Sequence, residues 1–163
     1  ATQSLEFKLP DGSRDMECML IDQISGELYF ISKREDHKRL YRLPSDAFSY
    51  QGVQTAQFIC ELNFSVPTSN LSLLKQIYYI TDGNVASSNE EIIVRNYLEI
   101  YYWKKGKQES IADALRRKPR IVPSVLEPQG EALAFDGLNQ GYATISEIPS
   151  LTSPAHLYYT AKR

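Results

Sequence analysis

Three oxygen-bearing side chains, Glu17, Asn84 and Glu131, stand at the mouths of short apolar runs and carry the atoms a hard cation needs. Glu17 leads into Cys18-Met19-Leu20-Ile21, Asn84 into Val85-Ala86, and Glu131 into Ala132-Leu133-Ala134-Phe135. Carboxylate and amide oxygens are the donors that Ca2+ and Mg2+ take, so these three are the candidate metal ligands. The far ends of the next apolar runs carry Lys33, Arg95 and the pair Ser146 and Glu147. If consecutive runs pair as antiparallel strands, Glu17 falls near Lys33, Asn84 near Arg95, and Glu131 near Ser146 and Glu147. All seven then line one ligand-binding mouth. The competing arrangement is a ring in which Glu17, Lys33, Arg95 and Glu131 neutralise one another and hold nothing.

Other chemistry finds little support. His37 lies in a charged stretch and His156 beside a terminal apolar run, and neither accompanies a G-x-S-x-G elbow, so the catalytic residues stay unassigned. The chain has no G-x-G-x-x-G and no P-loop, which leaves a nucleotide cradle without a motif. Two cysteines without a CxxC point away from a zinc site and from a disulfide-built scaffold.

These candidates must be positioned by strands. Ser4 to Leu9 alternates apolar and polar residues and ends at Pro10-Asp11-Gly12, as an edge strand followed by a turn does. Continuous apolar runs at 18–21 and 28–31, then 40–43 and 55–62, suit strands covered on both faces. The order repeats at 77–86, 92–94, 100–103 and 120–122, and again at 129–146 and 156–160. Ser110 to Arg116 is the one good helical segment, with Ser110 as N-cap and Pro119 beyond its end. Glu17 and Glu131 lie two repeats apart, so one repeat is about 57 residues, within the range of sheets arranged as propeller blades.

Composition bounds the partners. A chain of 163 residues with 42% hydrophobic content builds one core, so residues 1–163 are read as a single domain. The formal charge of -2, from 18 basic and 20 acidic residues intermixed, offers no broad positive field, so neither nucleic acid nor an anionic membrane is an expected partner. No apolar run approaches the roughly 20 residues of a membrane span. The compartment is undetermined, an extracytoplasmic one being compatible with removal of a leader. Cys18 and Cys60, on the first and fourth strands of one sheet, should lie roughly 14 Å apart and stay free, since a disulfide needs Cα atoms within about 7 Å.

The repeats resemble those of a bacterial β-propeller group akin to the NHL, SMP-30 and esterase-like phytase propellers. The resemblance rests on the D-x-E opening at Asp15 and Glu17, on Lys33 and Arg34 closing the second strand, and on Glu127 to Ala132 answered by Gly141 to Glu147. It implies an all-β propeller of four-stranded antiparallel blades, at residues 15–63, 77–123 and 129–160, three of an expected six. It also implies a central channel, at whose mouth the seven residues would sit. SMP-30-like propellers hydrolyse substrates with a bound metal, so the resemblance implies a metal-dependent hydrolase of an ester, lactone or phosphoester, with Ca2+ or Mg2+ on Glu17, Asn84 and Glu131. The alternative class is a non-catalytic binding module with a small ligand at the channel mouth, using also the loops Lys33 to Lys38 and Pro149 to Pro154.

Three blades leave apolar sheet faces bare, beyond what a monomer tolerates. A homodimer is therefore expected to close a six-bladed ring, the strand at 4–9 completing the last blade of the partner; the rival expectation is that these are three blades of a longer propeller, or that a different partner supplies the rest.

Overall fold

A computed structural model of the chain describes residues 2–68, 71–147 and 154–162, apart from the side chains of residues 72 and 73. Of the two loops named above, Pro149 to Ser153 lie outside the described residues.

The chain opens with a two-residue strand, Phe7–Lys8 (β1), followed by Met16–Ile21 (β2), Leu28–Ser32 (β3), Lys38–Leu43 (β4), Gln54–Thr55 (β5) and Gln57–Leu62 (β6). A helical turn at Ser72–Lys75 (α1) precedes Ile80–Val85 (β7), Glu91–Asn96 (β8) and Ile100–Lys104 (β9), and a short helix at Ile111–Arg116 (α2) precedes Arg120–Val122 (β10). The last strands are Gly130–Phe135 (β11), Gly141–Ser146 (β12) and Leu157–Ala161 (β13). Two four-stranded antiparallel sheets result, β2-β3-β4-β6 and β7-β8-β9-β10, then a three-stranded antiparallel sheet β11-β12-β13. The all-β class read from the apolar runs is what the chain adopts.

Each inner hairpin turns through one residue with positive φ: Gly26 at 75°, Asn89 at 59° and Asn139 at 57°. Glycine and asparagine visit this region at least cost, which is why each turn is punctuated there. The lysine after the third strand then ties the second and third turns down. Lys105 Nζ donates to Asn89 O at 3.1 Å, and Lys162 Nζ donates to Asn139 O at 2.9 Å.

The first and second sheets pack through the largest apolar cluster, which includes Leu20, Ile31, Leu40, Ile80, Ile92 and Val94. Further out, the gap between them is filled by α2, through Ile111, Ala114 and Leu115, and by Phe64, whose ring lies 5.1 Å from Tyr101 and 4.9 Å from Trp103. As its sequence suggests, α2 is capped by Ser110, whose Oγ accepts from Asp113 N at 3.0 Å. A smaller cluster of Ile93, Ile100, Leu133 and Tyr142 joins the second and third sheets. Cys18, Ile31, Leu40 and Cys60 follow one another across the first sheet in a single row, and both thiols are free.

The amino-terminal strand corrects an expectation. It is not an orphan awaiting a partner: β1 pairs in parallel with β5 of its own chain, Phe7 opposite Gln54 and Lys8 opposite Thr55. Leu5, Phe7 and Leu9 cover the outer face of the first sheet against Phe30, Tyr41, Leu43, Ala47 and Ala56, with the Phe7 and Phe30 rings stacked 4.9 Å apart. The alternating pattern of this segment thus serves intramolecular burial. Ala56 sits between β5 and β6, fully covered, where the chain leaves β1 to join β4.

Lys38 is fully buried at the start of β4 and donates to the Glu35 carbonyl, with the Tyr79 ring 5.9 Å away. Burial pulls its pKa down to about 8, against the attraction of Glu35 and Asp36. The folded chain then holds fewer protons than the unfolded chain between that value and 10.5, so this group adds stability as pH rises across the window and subtracts it as pH falls. Urea unfolding at pH 8 and pH 10 should therefore show Lys38→Met gaining on the native chain at the lower pH, by on the order of 2–3 kcal/mol, and losing that advantage at the higher. A difference between the two chains that does not change with pH would contradict the assignment.

Candidate functional site

All three inner strands carry an irregularity at the same place. Pairing with the neighbouring strand shifts between Met16 and Cys18 in β2, between Ile80 and Asp82 in β7, and between Gly130 and Ala132 in β11. A bulge leaves one residue unpaired and re-aims its side chain, here Glu17, Thr81 and Glu131. The spacing from Glu17 to Thr81 is 64 residues and from Thr81 to Glu131 is 50, so an average repeat does not find the middle member. Asn84 lies three residues too far along. Its register partner is Ile93, whereas Arg95 pairs with Asp82.

The second strand of each sheet ends at a matched position, with Ser32, Asn96 and Ser146 opposite the start of the inner strand. The residues that follow are Lys33, Tyr97 and Glu147, all at the same end as the bulges. Lys33 Nζ donates to Glu17 Oε1 at 2.7 Å and to Tyr97 OH at 3.4 Å, and Tyr97 OH donates to Glu131 Oε1 at 3.4 Å. A connected run Glu17–Lys33–Tyr97–Glu131 therefore crosses all three sheets. Lys33 is 6% exposed, and its ammonium also lies 5.6 Å from the centre of the Tyr97 ring. Burial alone would lower the Lys33 pKa, but the bonds to Glu17 and Tyr97 outweigh it and hold the ammonium charged. Glu17 is exposed and Glu131 partly exposed, beside a buried cation.

Sequence reasoning brought Glu17, Lys33 and Glu131 to one place, and the structure joins them. It missed Tyr97, which links them. The available signal was its position directly after β8, equivalent to Lys33 after β3.

The other expected residues serve the joint between the second and third sheets. Asn84 Oδ1 accepts from Phe135 N at 3.1 Å, Asp82 Oδ2 accepts from Leu133 N at 2.6 Å, and Thr81 Oγ1 donates to Gly130 O at 2.9 Å. Side chains of β7 thus satisfy the backbone edge of β11 that β12 does not reach. Burial pushes the Asp82 carboxyl up from its ordinary value, although the amides of Leu133 and Gly83 and the charge of Arg95 pull it down. Arg95 does not face the open mouth. It is 2% exposed, donates through Nη1 to Ala132 O at 3.1 Å, and pairs through Nη2 with Glu127 Oε2 at 2.9 Å. That contact has the distance of an ion pair without the angle of a hydrogen bond, and both Glu127 carboxylate oxygens are buried without a donor. A Cβ on Gly130 would lie 1.6 Å from Arg95 Nη2, so glycine is required for the guanidinium to pass. Ser146 Oγ donates to Gln129 O and accepts from Gln129 N, closing the end of the β11–β12 pair, and Glu147 is exposed beside it.

As arranged, these donors do not fit a divalent cation. Asn84 Oδ1 is occupied by a backbone amide, and Glu17 is bonded to a competing ammonium. Among the described residues, no group of three or more His, Cys, Asp or Glu side chains is placed to hold a metal ion. What Glu17, Lys33, Tyr97 and Glu131 can do together is hydrogen-bond a polar ligand at the open carboxylates.

The buried pair gives a direct test. Arg95→Met strands the Glu127 carboxylate and is expected to lower the urea-unfolding free energy by about 3–5 kcal/mol, whereas Arg95→Met combined with Glu127→Leu should recover most of it. Equal losses in the single and double variants would show that the pair does not act as described.

No family model matches the chain, and no curated protein matches it. Among solved structures, the complex of KlAtg21 with the coiled coil of AgAtg16 is similar to it at 11% identity with a TM-score of 0.44, covering 88% of this chain and 38% of that one. The chain therefore spans well under half the length of the solved chain it matches.

Proposed function

We propose that this chain is a non-catalytic β-propeller binding module, its three sheets acting as three blades of a six-bladed ring completed by a second copy. One observation carries the reading: Glu17, Lys33, Tyr97 and Glu131, drawn from three sheets, form a connected polar run at one end of the inner strands. In a propeller that end is the mouth of the central channel. Two carboxylates with one ammonium between them leave a net negative site, suited to a small polar ligand with hydroxyl or ammonium donors. Among the described residues, neither histidine is hydrogen-bonded to a serine or a cysteine. His37 Nδ1 lies 3.2 Å from Asn63 Oδ1, and the His156 ring stacks on Tyr158. The metal-dependent hydrolase of an ester, lactone or phosphoester rests on the resemblance alone.

The outer face of the third sheet supports assembly. By register and strand alternation it is built from Ala134, Ala143, Ile145, Leu157, Tyr159 and Ala161. Leu157 is 71% and Tyr159 56% exposed. An apolar face of this kind marks an interaction surface, and a second copy of the chain is its occupant in this reading. With β1 held on its own first sheet, the contact is face to face and involves no exchange of the amino-terminal strand.

Light scattering should give a mass of twice 18.6 kDa, reduced to one chain by Leu157→Glu. A stable monomer at micromolar concentration would sink the dimer. Calorimetric titration with Ca2+ and Mg2+ should give no saturable heat in the native chain. Stoichiometric binding that disappears in Glu131→Gln would overturn the non-catalytic reading and favour the hydrolase.

A further inference from the structure

The space between the second and third sheets opens into a cleft. Two gaps separate the three sheets, one between the first and second and one between the second and third. The first is plugged by α2, Phe64 and Trp103. The second has no such filler among the described residues, and a cavity of about 770 Å3 is left there. That size is within the roughly 300–1,000 Å3 of small-molecule sites.

Its walls follow from register. Tyr102 lies opposite both Ile93 and Arg120, so Tyr102, Arg120 and Val122 share the face of the second sheet that meets the third. Phe135 and Tyr142 lie opposite one another on the answering face. The floor is therefore aromatic and aliphatic: Tyr102, Val122, Pro123, Phe135 and Tyr142. The cleft lies toward the hairpin turns, at the other end of the inner strands from Glu17 and Glu131.

The charges in the cleft are unequal in kind. Lys162 is fully engaged: its Nζ donates to Glu91 Oε2 at 2.5 Å and to both oxygens of Asn139 at 2.9 Å, and stands 4.9 Å from the Phe135 ring. Glu91 is likewise satisfied by Lys162, Tyr102 OH at 2.7 Å and Asn139. The equivalent Lys105 binds its own turn in the same way, which marks Lys162 as part of the frame. Tyr142 OH is spent on the Pro123 carbonyl. Arg120 differs. Its guanidinium lies 5.7 Å from the Tyr102 ring, and among the described residues no carboxylate is within ion-pair distance of it. The cleft thus offers an apolar floor and one uncommitted, planar cation at its rim.

We propose that this cleft is a second ligand site, separate from the polar run at the opposite end, and that it takes a small amphipathic anion. A carboxylate would sit on the Arg120 guanidinium, where two parallel N–H donors match its geometry, and a flat apolar body would rest among Phe135, Tyr142 and Val122. Charge complementarity selects the class: the Glu91–Lys162 pair cancels, and a single positive charge is left to be met.

Isothermal titration calorimetry with 2-naphthoate and with 2-naphthalenemethanol on the full chain tests this. Naphthoate should bind saturably at one site per chain, with the uncharged alcohol at least tenfold weaker. Arg120→Gln should abolish that difference, Phe135→Ala should weaken both probes, and Glu17→Gln should change neither. Arg120 is exposed, so its variant is expected to fold, and circular dichroism checks this. Absence of saturable binding to millimolar naphthoate, equal affinity for the two probes, or an Arg120→Gln chain that binds naphthoate normally would each overturn the proposal.

Discussion

The third sheet is held in place by side chains of β7 that hydrogen-bond the backbone of β11. Between inner strands of neighbouring sheets there is no ladder, so the edge of β11 facing β7 would bury unpaired amides and carbonyls unless something else met them. Asp82 and Asn84 accept from Leu133 N and Phe135 N, Thr81 donates to Gly130 O, and Arg95 reaches past Gly130 to Ala132 O. Spaced two residues apart on the strand, Asp82 and Asn84 meet amides two residues apart on β11, which fixes the register of the two sheets. A shift by one residue would leave two buried acceptors facing carbonyls.

That register decides what the open end can do. Glu131 reaches Tyr97 because the bulge in β11 is held level with the bulge in β7. Lys33 reaches Tyr97 because the first sheet is tied at the same level, with Ile80 N donating to Lys33 O at 3.2 Å. Polar residues of the inner strands therefore meet different fates: Thr81, Asp82 and Asn84 are consumed by the backbone of β11, and Glu17 and Glu131, displaced by bulges, reach solvent. Arg95, on β8, also serves that backbone through Ala132 O and pairs with Glu127, buried beside it. A buried ion pair of this type is worth little as net stability, but it is costly to break on one side only.

Much of the fold is legible in the sequence for a physical reason. Strands covered on both faces need unbroken apolar runs, and Leu28–Ile31 and Ile92–Val94 supply them beside turns marked by Gly26 and Asn89, whereas the run Cys18–Ile21 is covered on one face only, with Met19 and Ile21 exposed. The row Cys18, Ile31, Leu40, Cys60 follows from counting strands alone. The site was only partly legible. Glu17, Lys33 and Glu131 stand out because charge at the start or end of a buried strand is unusual, whereas Thr81 does not, because a threonine in a strand is ordinary. Asn84 was preferred for its chemistry, and its amide proved to be committed to a backbone that lies 51 residues away in the chain. The amino-terminal segment shows the same limit. Its alternation correctly marks a strand with one apolar face, but alternation does not say which surface that face covers, and here the nearest one, its own first sheet, takes it.

The open end depends on the bonding of β11 to β7, and residue-resolved amide hydrogen exchange examines that bonding most directly. If Asp82 and Asn84 hold Leu133 N and Phe135 N, those two amides exchange as slowly as the ladder amides of β8, and replacing Asp82 with Ala releases Leu133 first. Exchange of Leu133 and Phe135 in the native chain as fast as that of an unbonded surface amide would mean that the third sheet is not registered on the second, and that the polar run through Tyr97 is not a built feature of the protein.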